Sequence, residues 1–341
     1  MTGIAVGALV LLTATLALVA LRPSSSRSNG SSVPDMGAIA IVGSRAWRWD
    51  GPSQCNPDTD IIPLQRTIDN GKTWQALPIP LVTVDTLQFR SENTGIAIGT
   101  TTQCSRGIML TQNGGATWRS RDDNPVLLDA WWAGSRLWGI ERSVGMPQLV
   151  AYTMRSNYKL VPVKGIGQVV TTESAPPPSG SPSASETTGS SSPCDAGDGT
   201  PTHDAFYTEK LGLLLCEQGV TGSRLVARTA SSGKTFERLT DSRPDTGLDG
   251  PGPILDLDVA GKSTAWVQFA PHECAEGSLR RSETQGQYWE RLPCPSRSAA
   301  IDRVLDAAFR TPNNGVMLGV KDGAVTLLMT RDGGSTWRPW R

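Results

Sequence analysis

Two histidines and four tyrosines are all that this chain of 341 residues holds of either type, and no Cys-x-x-Cys pair occurs in it. A structural zinc site needs closely spaced Cys or His ligands, so the sequence offers no metal site. The fragment His272-Glu273-Cys274 reads as a surface loop, because a half-cystine does not ligate. Excess charge is missing as well: 32 basic residues balance 32 acidic ones. That balance leaves no electrostatic footprint for nucleic acid. Only one long uncharged apolar run exists, Ile4 to Leu21.

What the chain has in quantity is a recurring turn. Its sharpest copies run Thr67-Ile-Asp69-Asn-Gly71-Lys-Thr73-Trp74 and Thr330-Arg-Asp332-Gly-Gly334-Ser-Thr336-Trp337. A third carries Asn113, Gly115 and Trp118, and two looser copies carry Gly233 with Phe236 and Gly286 with Trp289. Asn-Gly and Asp-Gly supply the positive φ angles of tight hairpins. The short polar side chains accept hydrogen bonds from the turn's own amides. In the looser copies Ser231 and Thr284 replace the Asp, which predicts turns held less tightly. A fixed turn returning every few tens of residues marks a repeat architecture, most often a propeller.

A second pattern precedes the turns: an apolar residue, an Asp, then an aromatic or aliphatic residue. It places Asp35, Asp85, Asp129, Asp204, Asp256 and Asp306 at the starts of six first strands. Short apolar runs follow, such as Gly95-Ile-Ala-Ile-Gly99 and Gly315-Val-Met-Leu-Gly319. Evenly spaced short strands predict an all-β fold: a single β-propeller of six four-stranded blades, with seven as the alternative. The sixth turn is expected at Thr153 to Tyr158, with Asn157 where glycine normally stands. The six aspartates either converge on the channel to hold a cation or bond backbone amides and tie blades together; like charges repel there, and the second reading is preferred.

The turn matches the Asp-box, or bacterial neuraminidase repeat, Ser/Thr-x-Asp-x-Gly-x-Thr-Trp. Over residues 33–341 the chain resembles the photosystem II stability/assembly factor-like propellers, and more broadly sialidases and sortilin-type receptors. The resemblance implies fold rather than activity, since Asp-boxes lie away from the sialidase active site. Sialidases further require an Arg-Ile-Pro segment, an arginine triad and a Tyr nucleophile. No Arg-Ile-Pro occurs here, and none of Tyr152, Tyr158, Tyr207 and Tyr288 is placed as a nucleophile. The resemblance therefore implies no catalytic residues and no cofactor. A divergent extracellular glycoside hydrolase, needing two facing carboxylates, stays as the alternative. Trp131, Trp132 and Trp138 read as core, and Arg280-Arg281 as solvated charge.

Residues 1–22 read as a transmembrane anchor or signal peptide, 23–32 as a flexible stalk and 33–341 as the propeller. Arg22 and Arg27 behind the apolar run would favour a cytoplasmic propeller, but the cysteines point outward. On the blade scheme all six fall at one face, paired Cys55–Cys104, Cys194–Cys216 and Cys274–Cys294. Such a framework belongs to an oxidising compartment. The Ser/Thr/Pro-rich stretch 171–193 cannot pack a core and reads as an insertion on that face. The expected protein is a non-catalytic, membrane-tethered extracytoplasmic propeller with a protein or glycan partner on its cysteine-rich face.

Overall fold

The computed structural model describes residues 34–56, 60–120, 126–142, 147–155, 158–163, 166, 194, 199–217, 224–239, 248, 252–269, 278–295 and 301–340. The apolar run 4–21, the stalk 23–32, the stretch 171–193, Asn157 and the 272–274 fragment lie outside the described residues. Among the described residues no helix is long and apolar enough to cross a membrane.

Blade one comprises β1 (Met36–Val42), β2 (Arg45–Gly51), β3 (Leu64–Thr67) and β4 (Gln75–Leu77). Blade two comprises β5 (Thr83–Phe89), β6 (Gly95–Thr100), β7 (Arg106–Thr111) and β8 (Arg119–Ser120). Blade three comprises β9 (Val126–Ala133), β10 (Arg136–Arg142), β11 (Pro147–Met154) and β12 (Leu160–Pro162). Blade four comprises β13 (Thr200–Phe206), β14 (Gly212–Glu217), β15 (Arg224–Thr229) and β16 (Glu237–Arg238). Blade five comprises β17 (Ile254–Ala260), β18 (Thr264–Phe269), β19 (Leu279–Ser282) and β20 (Glu290–Arg291). Blade six comprises β21 (Arg303–Phe309), β22 (Gly315–Lys321), β23 (Ala324–Thr330) and β24 (Arg338–Pro339).

Each blade is an antiparallel meander of four consecutive strands, and no described strand crosses into another blade's sheet. The six first strands touch in cyclic order, β21 returning to β1. The protein is thus an all-β, six-bladed propeller with four-stranded blades.

The recurring turns join third to fourth strands. In two of them the geometry is the same to within 0.1 Å. Thr67 Oγ1 donates to Asp69 at 2.8 Å and accepts from the Gly71 amide at 2.9 Å. Asp69 in turn accepts from the Thr73 amide at 2.9 Å and the Thr73 hydroxyl at 2.7 Å. Thr330, Asp332, Gly334 and Thr336 repeat every one of these bonds. Asn113 keeps the amide bond at 2.9 Å, Ser231 at 2.8 Å and Thr284 at 2.9 Å. The core bond therefore survives the substitutions. What Ser231 and Thr284 lack is the second carboxylate oxygen. Five turns carry two successive positive φ values, for example 56° at Asn70 and 86° at Gly71. In blade three, Tyr158 has φ 66° and its amide donates to Arg155 O at 3.0 Å.

Between blades the packing alternates. Trp47 stacks on Phe89 with ring centroids 3.6 Å apart, Trp138 on Phe206 at 3.9 Å and Trp266 on Phe309 at 3.8 Å. Each pair joins an odd-numbered blade to the one after it. The phenylalanine folds back over a glycine of its own second strand; a Cβ at Gly212 would come within 2.2 Å of the Phe206 ring. Trp47 and Trp266 also donate their indole N–H to Gly114 O and Gly333 O, in the following blade's turn, at 2.9 and 3.0 Å. Among the described residues the interfaces between these pairs lack such a stack and pack aliphatic side chains instead, Ile96 and Ile98 with Leu127 and Leu137 between blades two and three, beside polar contacts. Arg106 donates to Leu127 O and Leu128 O between blades two and three, and Glu217 accepts from the Ile254 amide between four and five.

Trp337 closes the last turn at 1% exposure, edge-on to Phe309 at 6.0 Å. Replacing it with Ala should cost about 3–5 kcal/mol, the usual toll for emptying a large buried aromatic site. Denaturant unfolding measures this, and a loss under about 1 kcal/mol would mean the turn aromatics are not core.

Candidate functional site: the acidic central cavity

Five of the first strands carry a β-bulge, which adds one residue and re-aims the side chains beyond it. The bulges fall between Val84 and Thr86, Leu127 and Asp129, Pro201 and His203, Ile254 and Asp256, and Val304 and Asp306. Opposite the bulge of blade two, Gly99 leaves room that no other residue would: its Cβ would lie 1.9 Å from Thr83 O.

The residue just past each bulge is Thr86, Asp129, His203, Asp256 or Asp306. Blade one has no bulge, and its matching residue is Ala38, opposite Trp49. The six aspartates of the sequence pattern therefore do not form one ring. Asp129, Asp256 and Asp306 share a register position. Asp85 sits in the bulge itself, and Asp204 stands one residue further along. Asp35 precedes β1, with its side chain 64% exposed and 3.9 Å from Arg303. The cause is the bulge, whose extra residue is invisible to motif spacing.

These first strands enclose a cavity of about 280 Å³ on the propeller axis. Asp85, Asp129, Asp256, Asp258, Asp306 and His203 all line it, and among the described residues no Lys or Arg does. Asp258 follows Asp256 by two and so shares its strand face; sequence reading missed it, though the Asp-Leu-Asp alternation was the available signal.

Three carboxylates clamp the next blade. Asp306 accepts from the Ile39 amide at 2.6 Å, joining blade six to blade one. Asp258 accepts from the Phe309 amide, and Asp129 from the Asp204 amide at 3.4 Å and the Thr86 hydroxyl at 3.1 Å. Asp85 pairs with Arg106. His203 Nε2 lies 3.1 Å from Leu255 O, again across a blade boundary.

Burial dominates the electrostatics. It pushes the Asp306 carboxyl up to about 7, against the pull of the Ile39 and Ala307 amides and with a small push from Asp258. Burial, then the charges of Asp306 and Asp129, hold Asp256 well above the carboxylate range. Burial and Asp256 do the same to Asp258. Asp129 is raised by burial, with His203 opposing. Asp204, 1% exposed, has no hydrogen-bond partner at either oxygen and is raised by burial and by Asp129. By contrast Asp69, in its turn, is lowered to about 2, first by the Thr73 amide bond.

Trp74 and Trp118 are half-buried, while Phe236 and Trp289 are buried. Trp138 is core; Trp132 is buried too but, like Trp131, lines the cavity. Arg280 is a correction: it is 2% exposed, with its guanidinium 5.0 Å from the Phe269 ring centre. Arg281 reaches Asp332 O at 3.1 Å and Glu290 at 2.9 Å. Disulfides link Cys55 to Cys104 and Cys194 to Cys216, both with Cα atoms 5.6 Å apart. Cys294 is also in a disulfide; Cys274, its expected partner, lies outside the described residues. Strand alternation puts these cysteines at the blade ends opposite the recurring turns. Among the described residues no cluster of three or more His, Cys, Asp or Glu side chains is arranged to hold a metal ion.

No protein-family model and no curated protein matches this chain. Solved structures do. The lectin of Aleuria aurantia, as a single-site mutant in complex with α-methyl-L-fucoside, is similar at a TM-score of 0.52 and 9% identity, covering 89% of this chain and 93% of the lectin. YCF48 from Cyanidioschyzon merolae is similar at 0.44 and 12%, covering 78% and 87%. A puromycin-hydrolysing peptidase of Mycobacterium tuberculosis is similar at 0.47 and 10%, covering 90% of this chain and 45% of the peptidase. The lectin likeness carries the fold and nothing finer.

The raised carboxyls fix the sign of the pH dependence. A group whose folded pKa lies above its unfolded value stabilises fully below the unfolded one, and that stability fades as pH rises through the folded one. For Asp306 the window runs from 3.8 to about 7. Thermal unfolding should show the propeller less stable at pH 8 than at pH 5.5. Asp306→Asn should flatten the part of the slope nearest pH 7.

Proposed function

We propose that this chain is a non-catalytic binding scaffold, an extracytoplasmic propeller tethered at residues 1–22, that engages a protein or glycan through its disulfide-bearing face. The observation that carries this reading is the pair of disulfides Cys55–Cys104 and Cys194–Cys216 at one end of the blades. Disulfides persist in oxidising compartments, and these two brace loops that a partner would meet. The Asp-box resemblance, to assembly factors among others, agrees with a scaffold role, and the similar propeller of Aleuria aurantia, a lectin in complex with α-methyl-L-fucoside, is a reason to include glycans among the partners tested.

The competing hydrolase reading draws on the raised cavity carboxyls, since a general acid needs such a pKa. Asp306, however, already accepts the Ile39 and Ala307 amides with its two oxygens. Asp258 and Asp129 are likewise bonded to backbone. Groups so engaged act as clamps between blades rather than as mobile proton donors.

Two measurements test the proposal. Non-reducing peptide mapping of the protein from its own cell envelope should recover the Cys55–Cys104 link, and free thiols at both positions would remove the compartment argument. Pull-down with the propeller, run beside a glycan array, should return a partner whose binding is lost on reduction. Silence in both formats, with the disulfides intact, would count against the scaffold.

A further inference from the structure

We propose that the central cavity is a binding site for a small organic cation, an amine carrying one or two ammonium groups. The cavity of about 280 Å³ holds five aspartates and, among the described residues, no lysine or arginine in its lining. Among the described residues only Asp85 of the five has an ion-pair partner, Arg106. The other four lean on backbone amides and one hydroxyl, so apart from His203 beside Asp129 nothing offsets their mutual repulsion when they ionise.

Asp204, next to the lining residue His203 but not itself in the lining, supplies a second pointer. It lies two residues before Phe206 and so shares that ring's strand face, which packs on Trp138 of blade three. There it confronts Asp129, whose charge it feels. The corresponding residues of the other first strands are Ile39, Leu87, Ala130, Leu257 and Ala307. Packing alone is thus served by an apolar side chain, yet here stands a buried carboxyl with both oxygens lacking a donor. A buried polar group in that state calls for an explanation such as a missing ligand.

The nature of the cation follows from size and geometry. The described side chains do not converge at metal-ligand positions. The space would take on the order of nine waters at ~30 Å³ each, far more than a bare ion fills. Trp131 lines the cavity with its indole N–H already donated to Phe206 O at 3.0 Å, so it contributes ring surface. Carboxylates beside an indole ring suit an ammonium group through charge-assisted hydrogen bonds and cation–π attraction.

The test titrates the full chain with butane-1,4-diamine and with butylamine, by calorimetry and thermal unfolding, against NaCl at matched ionic strength and against CaCl2. Saturable binding of an amine with a raised melting temperature is expected, tightening from pH 6 to pH 8. The groups lining the site are Asp85 with its Arg106, Asp129, Asp256, Asp258, Asp306 and His203, with Asp204 beside His203 but outside the lining; Asp306, raised to about 7, gains charge over that range. Asp256→Asn keeps a side-chain oxygen for the Leu257 amide and relieves repulsion. It should therefore melt no lower than wild type without ligand, yet bind at least about tenfold more weakly. Asp204→Leu, the residue at the matching place in β5 and β17, is the second variant and should weaken binding in the same direction. The proposal is overturned if neither amine binds saturably, if Ca2+ stabilises as much as the amines do, or if both variants keep wild-type affinity.

Discussion

The hydrogen bond from the Ile39 amide to Asp306, 2.6 Å long, joins the first strand of the chain to its last blade. Its importance comes from what is missing around it. Every sheet is made of consecutive strands, so among the described residues no β-ladder joins the last blade to the first. Side chains close the ring instead. Arg303 donates to Pro34 O and Arg310 to Gly43 O. Trp340 lies over Gly71 and meets Trp74 edge-on at 5.9 Å. A Cβ at Gly71 would press within 2.9 Å of that indole, which gives this turn glycine a role beyond its φ.

The same kind of clamp, repeated at Asp129 and Asp258, gives the cavity its character. A carboxyl that reaches a neighbouring blade's amide must sit where first strands approach one another, and that is the axis. Mechanical closure and concentrated acidity are therefore one arrangement. The fold accepts raised pKa values as the cost of holding blades by hydrogen bonds in a dry place, since a buried polar group is tolerable only when bonded.

The turns were legible in the sequence because their chemistry is local. Thr67, Asp69, Gly71 and Thr73 bond within a few residues of one another, so spacing and residue type suffice. Blade count and the two described disulfides follow from strand alternation. The cavity was only half legible. A bulge shifts register by one, so Asp85 and Asp204 look equivalent to Asp129 in the chain and are not equivalent in the sheet. Asp258 was hidden by attention to a single Asp per strand. Arg280 looked like surface charge because nothing local announces Phe269, which receives it from a neighbouring strand. The Trp–Phe stacks were hidden for the same reason, each partner lying in a different blade.

Those stacks have a consequence for the arithmetic of the fold. Trp47, Trp138 and Trp266 each need a Gly–Phe blade after them, and each Gly–Phe blade needs a Trp blade before it. The working unit is thus a doublet, and the ring is a triplet of doublets. A ring of doublets obeys a parity rule: blades are added or lost two at a time, or an aromatic face is left bare. Seven blades would break that rule. Six is the count at which every such face in this chain is covered.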